Sequence, residues 1–308
     1  MIRQSANHGW PRRAPSGRIA YVNGRYSPLA QAGVHIEDRG LQFADSIYEV
    51  FGVIDGQLLD EEQHLDRLER SLGELAMAMP MQRGPLKLVV RELARRNHIT
   101  DGLIYLQVTR GAFRRDHAIP EGVTVRPTLV LTARNIDPAP VEARRRKGIK
   151  VVTRPDERWA RCDIKSTSLL ANVLAKTSAR RVGAYEAWLV DRDGFVTEGS
   201  STTAWLVDAE GQLITRDLSH ALLPGVTRKV ILAAAAKAQM PVIERQFSVA
   251  EAANAKEAFI TAATIGVFPV VAIDGRPVGD GKPGSVSCRI QELYRRAASL
   301  RAAGSESV

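Results

Sequence analysis

Lys165 stands in the run Arg161-Cys-Asp-Ile-Lys165-Ser-Thr-Ser-Leu-Leu170, between a strand-like apolar segment and the start of a helix. A lysine at such a boundary, with buried neighbours, can shed its proton and act as a nucleophilic amine. The same position also suits a solvated lysine beside a helix N-cap. Two further segments bear on that choice. Leu223-Pro-Gly-Val-Thr-Arg228 is a loop that feeds a helix, so its free N–H groups and dipole favour an anion, with the Thr227 hydroxyl as an added donor. Ala262-Ala263-Thr264-Ile265-Gly266 is a turn of small residues after a strand, which lets backbone approach a ligand closely. Taken singly, each is equally a plain connection. Taken together, a reactive lysine and a phosphate cradle are what a pyridoxal phosphate enzyme requires.

The elements that must position these residues alternate between strand and helix signals. Ile19–Val22 followed by Asn23-Gly24 predicts a strand and a hairpin turn, and Ser46–Ile54, Asp55-Gly56 and Gln57–Leu59 predict a second hairpin. Glu61 and Glu62 open a helix whose Leu65, Leu68, Leu72 and Leu75 fall at helical spacing. A second helix is expected over Pro85–Arg96, and strands over Leu103–Thr109 and Thr124–Thr132. The stretch Asn135–Pro140, with two prolines and no periodicity, reads as a linker. Beyond it the pattern predicts a strand at Ile149–Thr153, a helix over Ser168–Val182, and a meander through Glu186–Val190, Thr202–Val207 and Leu213–Thr215. A helix over Val226–Gln239, a strand at Ala258–Thr261 and a C-terminal helix over Cys288–Ala303 complete the chain.

At about 150 residues per domain, 308 residues imply two domains. The expected division is a loose basic tail over 1–17, an N-terminal α/β domain over 18–137 and a C-terminal domain over 138–303. Two cysteines, Cys162 and Cys288, form neither a disulfide framework nor a multi-cysteine zinc site by themselves, so a reducing, cytoplasmic setting is expected. No apolar run follows Arg3, Arg12 and Arg13 as in a signal peptide, and no stretch approaches the roughly 20 apolar residues of a membrane helix. The excess of 43 Lys+Arg over 34 Asp+Glu leaves nucleic acid, an anionic membrane and an acidic small molecule as partner classes. Walker A, H-E-x-x-H and G-x-S-x-G patterns are absent from the sequence, no G-x-G-x-x-G follows a predicted strand, and the six histidines are scattered, so no metal site is expected.

Six segments, in order, narrow the reading further. They are Glu37–Val50 (EDRGLQFADSIYEV), His64–Leu68, Val108-Thr-Arg-Gly111 with Arg115-Asp-His117, Arg161–Ser166, Val196–Ser201 (VTEGSS) and Gly225–Arg228. On these the chain resembles the class-IV aminotransferases, the fold-type IV pyridoxal phosphate enzymes, and among them the D-amino acid aminotransferases. The resemblance spreads from about residue 18 to 295 and leaves out the tail. It implies an α+β fold of two domains with the cofactor in the cleft between them.

By that resemblance Lys165 is the Schiff-base lysine and the proton shuttle, and Glu198 is the carboxylate that pairs with the pyridine nitrogen. Without its flanking motif Glu198 would pass for a solvated hairpin residue. Arg67 matches the phosphate-binding arginine, a planar fork of donors. Leu223, the turn Val226-Thr227 and the turn Ala263-Thr264 complete the cofactor cradle. His64, three residues before Arg67 on the same helix face, reads as a supporting packing residue. Tyr48, Arg115 and His117 match a trap for the substrate α-carboxylate. The arginine and histidine are supplied by a neighbouring subunit, so the resemblance implies a homodimer. Fixing the carboxylate decides which face of Cα meets Lys165, and so the handedness of the substrate.

Three departures from the family pattern stand out. Thr203 occupies a position that is often Asn, and Ala262 and Ala263 occupy positions that often carry hydroxyls. Glu49 and Glu186 are further acids near the site, read as structural charges. The expected activity is transamination of D-amino acids, D-alanine and 2-oxoglutarate giving pyruvate and D-glutamate. The alternatives of the same fold are a branched-chain L-amino acid aminotransferase, an (R)-amine aminotransferase and an aminodeoxychorismate lyase. A basic nucleic-acid-binding protein is the alternative of another class, motivated by Arg144–Lys147 and the net charge of +9. No aromatic-rich RNA motif accompanies those charges.

Overall fold

The computed structural model describes residues 17–119, 122–123 and 125–302. The expected tail lies, Gly17 apart, outside the described residues, as do Thr124 and residue 303. In chain order the first half forms β1 (Ile19–Val22), β2 (Arg25–Pro28), α1 (Arg39–Phe43), β3 (Ser46–Ile54), β4 (Gln57–Leu58), α2 (Glu61–Glu74), α3 (Arg83–Arg96), β5 (Gly102–Thr109) and β6 (Thr128–Asn135). The second half opens with α4 (Pro138–Lys147), β7 (Ile149–Pro155), α5 (Leu170–Arg181), β8 (Glu186–Val190), β9 (Val196–Gly199), β10 (Thr203–Val207) and β11 (Leu213–Thr215). It continues through α6 (Val226–Lys237), β12 (Val242–Glu244), α7 (Val249–Ala253), β13 (Glu257–Ala262), β14 (Gly266–Ile273), β15 (Arg276–Pro277) and α8 (Ser285–Ala302). The architecture is α+β.

Each half builds one sheet. The first is antiparallel throughout, in the order β2-β1-β6-β5-β3-β4. Period-two alternation sets what β3 offers to each side. Ile47, Glu49, Phe51 and Val53 are buried, whereas Tyr48 and Val50 line an open cleft. Helix α2 buries His64, Leu65, Arg67, Leu68, Ser71 and Leu72, one face at helical spacing, and packs on β3. The second sheet runs β12-β11-β10-β13-β14-β7-β8-β9, with β15 paired to β14. It is mixed, since β7 pairs in parallel with both β14 and β8. The β7–β8 crossover is the long connection that parallel strands need. It carries α5 and, before it, Lys165.

Two expectations need correction. Asn135–Pro140 is not a linker: β6 runs through Asn135, and Asp137 caps α4 by accepting a hydrogen bond from the Ala139 N–H. Proline fits the first turn of a helix, where its missing N–H would be unbonded anyway. The helix runs on to Lys147 and places Arg144–Lys147 in its last turn, where basic side chains suit the dipole. The strand expected from Thr124 begins instead at Thr128. Among the described residues no helix is long and apolar enough to cross a membrane.

Candidate active site

A cleft of about 250 Å³ opens between the two sheets. Tyr48, Arg67, Lys165, Glu198, Leu223, Val226, Thr227, Ala263 and Thr264 all line it. Segments far apart in sequence meet there because β3 forms one wall, while β9, β10 and the ends of β13 and α6 form the other.

Lys165 is held from the first half of the chain although it belongs to the second in sequence. Its carbonyl accepts from the Tyr48 N–H at 3.0 Å, and Ser166 forms an isolated β-bridge with Ile47. Ile164 is buried in the core of the first half. Arg70 of α2 donates to the Asp163 carboxylate and carbonyl, and Arg161 reaches Glu74. The Lys165 amine lies 4.2 Å from the centre of the Tyr48 ring, which stacks in turn on Tyr105.

Glu198, on β9, is buried and receives the guanidinium of Arg158. The Leu223 N–H lies 3.3 Å from each of its oxygens. Burial pushes the Glu198 carboxyl above its ordinary range, while Arg158, the Leu223 N–H and Lys165 oppose that rise. Arg158 is itself fixed by Asp156, by the Thr197 hydroxyl and by the Ala221 carbonyl. Sequence reading misses Arg158. Asp156 and Arg158 stand two residues apart just before the lysine, but nothing in that spacing shows that the pair reaches β9.

Arg67 lies with its fork flat against Glu49. Nε and Nη2 each donate to one carboxylate oxygen at 2.8 Å, and Nη1 donates to the Pro224 carbonyl at 3.2 Å. His64 Nδ1 sits 2.7 Å from Glu49 and joins the same cluster. Burial alone would raise the Glu49 carboxyl, but Arg67 and His64 hold it down at about 2. Glu49 is thus a structural charge that orients the arginine facing the cleft. His64 has the supporting place expected of it.

The far end of the cleft is the N-terminus of α6. Gly225 caps it without a side chain, so the N–H groups of Val226, Thr227 and Arg228 have no intrahelical partner. A Cβ on Gly225 would stand 3.1 Å from Thr203 Oγ1, which places the Thr203 hydroxyl close against this turn. The Thr227 hydroxyl is buried with no hydrogen-bond partner among the described residues. The turn at Ala262–Thr264 comes from the other side and offers backbone, since Ala262 and Ala263 carry no hydroxyls. Gly52 permits its approach, since a Cβ there would lie 3.0 Å from the Ala263 carbonyl. An unpaired buried hydroxyl, a helix N-terminus and an arginine fork suit a phosphate. With an amine and a buried carboxylate on the same cleft, the set fits pyridoxal phosphate.

Glu186 is completely buried and gathers donors from the loop after β9. Ser200, Ser201 and Thr202 all donate to it, as does Lys176 of α5. It shapes the wall between Glu198 and α5.

Arg115 and His117 do not line the cleft of their own chain. Both are exposed, in the loop after β5, and both lie against Phe43: the Arg115 guanidinium carbon is 5.2 Å and the His117 ring centre 5.4 Å from the Phe43 ring centre.

Residues 46–273 match the family model described as amino-transferase class IV. The D-alanine aminotransferase of Bacillus licheniformis is 37% identical over 269 residues, covering 87% of this chain and 93% of that protein. The branched-chain amino acid aminotransferase of Escherichia coli is similar in structure, with a TM-score of 0.85 and 23% identity over 92% of this chain and 95% of that one. The T.th. branched-chain amino acid aminotransferase with pyridoxamine 5'-phosphate has a TM-score of 0.82 at 24% identity, over 94% of this chain and 95% of that one. On the family match and the shared identity, this chain belongs to the class-IV aminotransferases.

Proposed function

We propose that the protein is a pyridoxal-phosphate-dependent D-amino acid transaminase that converts D-alanine and 2-oxoglutarate to pyruvate and D-glutamate. The observation that carries this reading is the meeting of Lys165, Glu198 and the α6 N-terminus on one cleft. The relation to a named D-alanine aminotransferase over most of the chain points to the substrate class.

Pyridoxal phosphate supplies an aldehyde that captures the substrate amine and a ring that takes up the electron pair left on Cα. The chain's own residues do the rest. Arg67, the N–H groups of Val226 and Thr227, the Thr227 hydroxyl and the backbone at Ala263-Thr264 would hold the phosphate, with Leu223 beside Glu198. Lys165 would take the proton from the substrate Cα and return it two atoms along, so one base would serve both ends of the shift. Glu198 would hold the ring nitrogen protonated, and Arg158 opposes the rise that burial gives its carboxyl.

Tyr48, with Arg115 and His117 of a second copy, would bind the α-carboxylate and choose which face of Cα meets Lys165. Self-association is supported by α5, where Leu170, Val173 and Leu174 form an exposed apolar stripe. The segment leading into the stripe is tied to the start of β3, where the Thr167 N–H donates to the Ser46 carbonyl; Leu41 and Ile36 are exposed as well. We further read the two halves as domains that divide at residue 137. Two free cysteines accord with a cytoplasmic setting.

The test is a pair of half-reactions with D- and L-alanine, followed by loss of the visible absorbance of the lysine-bound cofactor. Consumption of the D-enantiomer with pyruvate release is expected. Conversion of L-alanine alone would overturn the reading and move the protein to the L-specific alternative.

A further inference from the structure

Arg39 is almost wholly buried, yet it binds neither cofactor-facing residues nor the cleft. Its Nε donates to the Asp45 carboxylate at 2.8 Å. Its other two nitrogens turn to the loop after β5: Nη1 donates to the Asp116 carbonyl at 2.7 Å and to the Ala118 carbonyl at 3.5 Å, and Nη2 to the His117 carbonyl at 3.3 Å. Three successive carbonyls of an otherwise exposed loop thus converge on one guanidinium. Asp45 is fixed independently by Arg110, which donates at 2.7 Å. The start of the loop is tied to the same place: the Arg39 N–H donates to the Gly111 carbonyl, and Asp38 bridges to Ala112. The Phe43 ring contacts both arginines, its centre 4.7 Å from the Arg39 guanidinium carbon and 5.2 Å from that of Arg115, and the His117 ring packs on it as well.

We propose that Arg39 is a positioning residue for recognition of the substrate carboxylate: by gathering the carbonyls of Asp116, His117 and Ala118 it fixes the spacing and direction at which Arg115 and His117 are presented. The inference rests on the reading of Arg115 and His117 as the carboxylate trap of a neighbouring copy. A planar fork with donors on three nitrogens can hold a carboxylate and three carbonyls at once, and a lysine cannot. Phe43 is the second support, since its ring sets the height of both trap side chains.

The holoenzymes of Arg39→Lys, Phe43→Leu and Arg115→Ala are compared with the parent in KM and kcat for D-alanine. Each is also treated with hydroxylamine, which attacks the lysine-bound cofactor but carries no carboxylate. Arg39→Lys keeps the pair with Asp45 and therefore the fold. It is expected to raise KM for D-alanine about tenfold, the scale of a small misplacement of a binding group. Its kcat should fall less than KM rises, and its hydroxylamine rate should match the parent's. Phe43→Leu should shift KM in the same direction. An unchanged KM in both variants, with a raised KM in Arg115→Ala, overturns the role of Arg39 and leaves the trap standing. An unchanged KM in Arg115→Ala overturns the trap and this inference with it. A hydroxylamine rate that falls in step with D-alanine turnover also overturns it, because general damage to the fold would then explain both.

Discussion

Glu49 and Arg115 mark two regions that hold their charges in opposite ways. Around Glu49, Arg67 and His64, and around Glu198 and Arg158, every charged group is buried and tied to at least one partner of opposite sign. Around Arg115 and His117 the side chains are exposed and rest on one aromatic ring. The cofactor end of the cleft has to be ready before any substrate arrives, so its polar groups are fixed in a dry setting where a lost partner is costly. On the proposed reading of Arg115 and His117 as a carboxylate trap, their loop has to admit and release molecules at every turnover. Its charges stay solvated, and their order comes from the backbone beneath them. Preorganisation is built from side chains at one end and from a docked loop at the other.

Several measurements would break or sharpen this contrast. The largest effect belongs to Lys165→Ala, which should lower transamination by roughly 10⁴-fold or more, the scale for losing a residue that forms the covalent link. Turnover within tenfold of the parent would remove Lys165 from the chemistry. Next is Glu49→Gln, which leaves Arg67 buried and without a full counter-charge; a loss of about 3–5 kcal/mol in urea unfolding is expected. Arg115→Ala should stay within about 0.5 kcal/mol of the parent in the same assay, as exposed positions do. Equal losses in the two variants would erase the contrast.

The same pair predicts an acid limb. The Glu49 carboxyl is lowered from 4.5 to about 2, so its contribution is full above 4.5 and is lost as pH falls toward about 2. Stability of the parent should fall across that window, and Glu49→Gln should show a shallower slope there. The smallest expected effect is that of Leu174→Glu on the exposed stripe of α5. It should shift sedimentation toward the monomer with little change in thermal midpoint. A monomeric parent would instead remove the second copy from the trap.

Much of this organisation is legible in the sequence, for reasons that differ from residue to residue. Helix α2 announces itself because Leu65, Leu68 and Leu72 repeat at helical spacing behind two acids, and β3 because its alternation is closed by Asp55-Gly56. Lys165 and Glu198 can be picked out only because flanking residues form a motif; their chemistry alone fits a solvated surface. Arg158 cannot be read, since its role depends on the register that brings β9 beside the β7–β8 crossover. Glu49 and Glu186 are visible as acids but not as hubs, because their donors come from α2 in one case and from the loop after β9 in the other. The helix over Pro138–Lys147 is hidden by its own prolines, which signal a break everywhere except in a first turn. Strand β14 is hidden by Gly266 and Pro269, although Gly266 sits at its entry and Pro269 is accommodated inside it.

The anchoring of the lysine segment has a mechanical consequence. Lys165 is fastened to β3 and α2, whereas Glu198 and the α6 N-terminus belong to the other sheet, so a molecule gripped by all three acts as a rivet between the halves. Any loosening of one sheet against the other would pull the amine from the carboxylate before either core melts. Heating should therefore bleach the bound chromophore ahead of the loss of helix signal. Added pyridoxal phosphate should raise the temperature of both events with its concentration, as a ligand confined to the closed arrangement must.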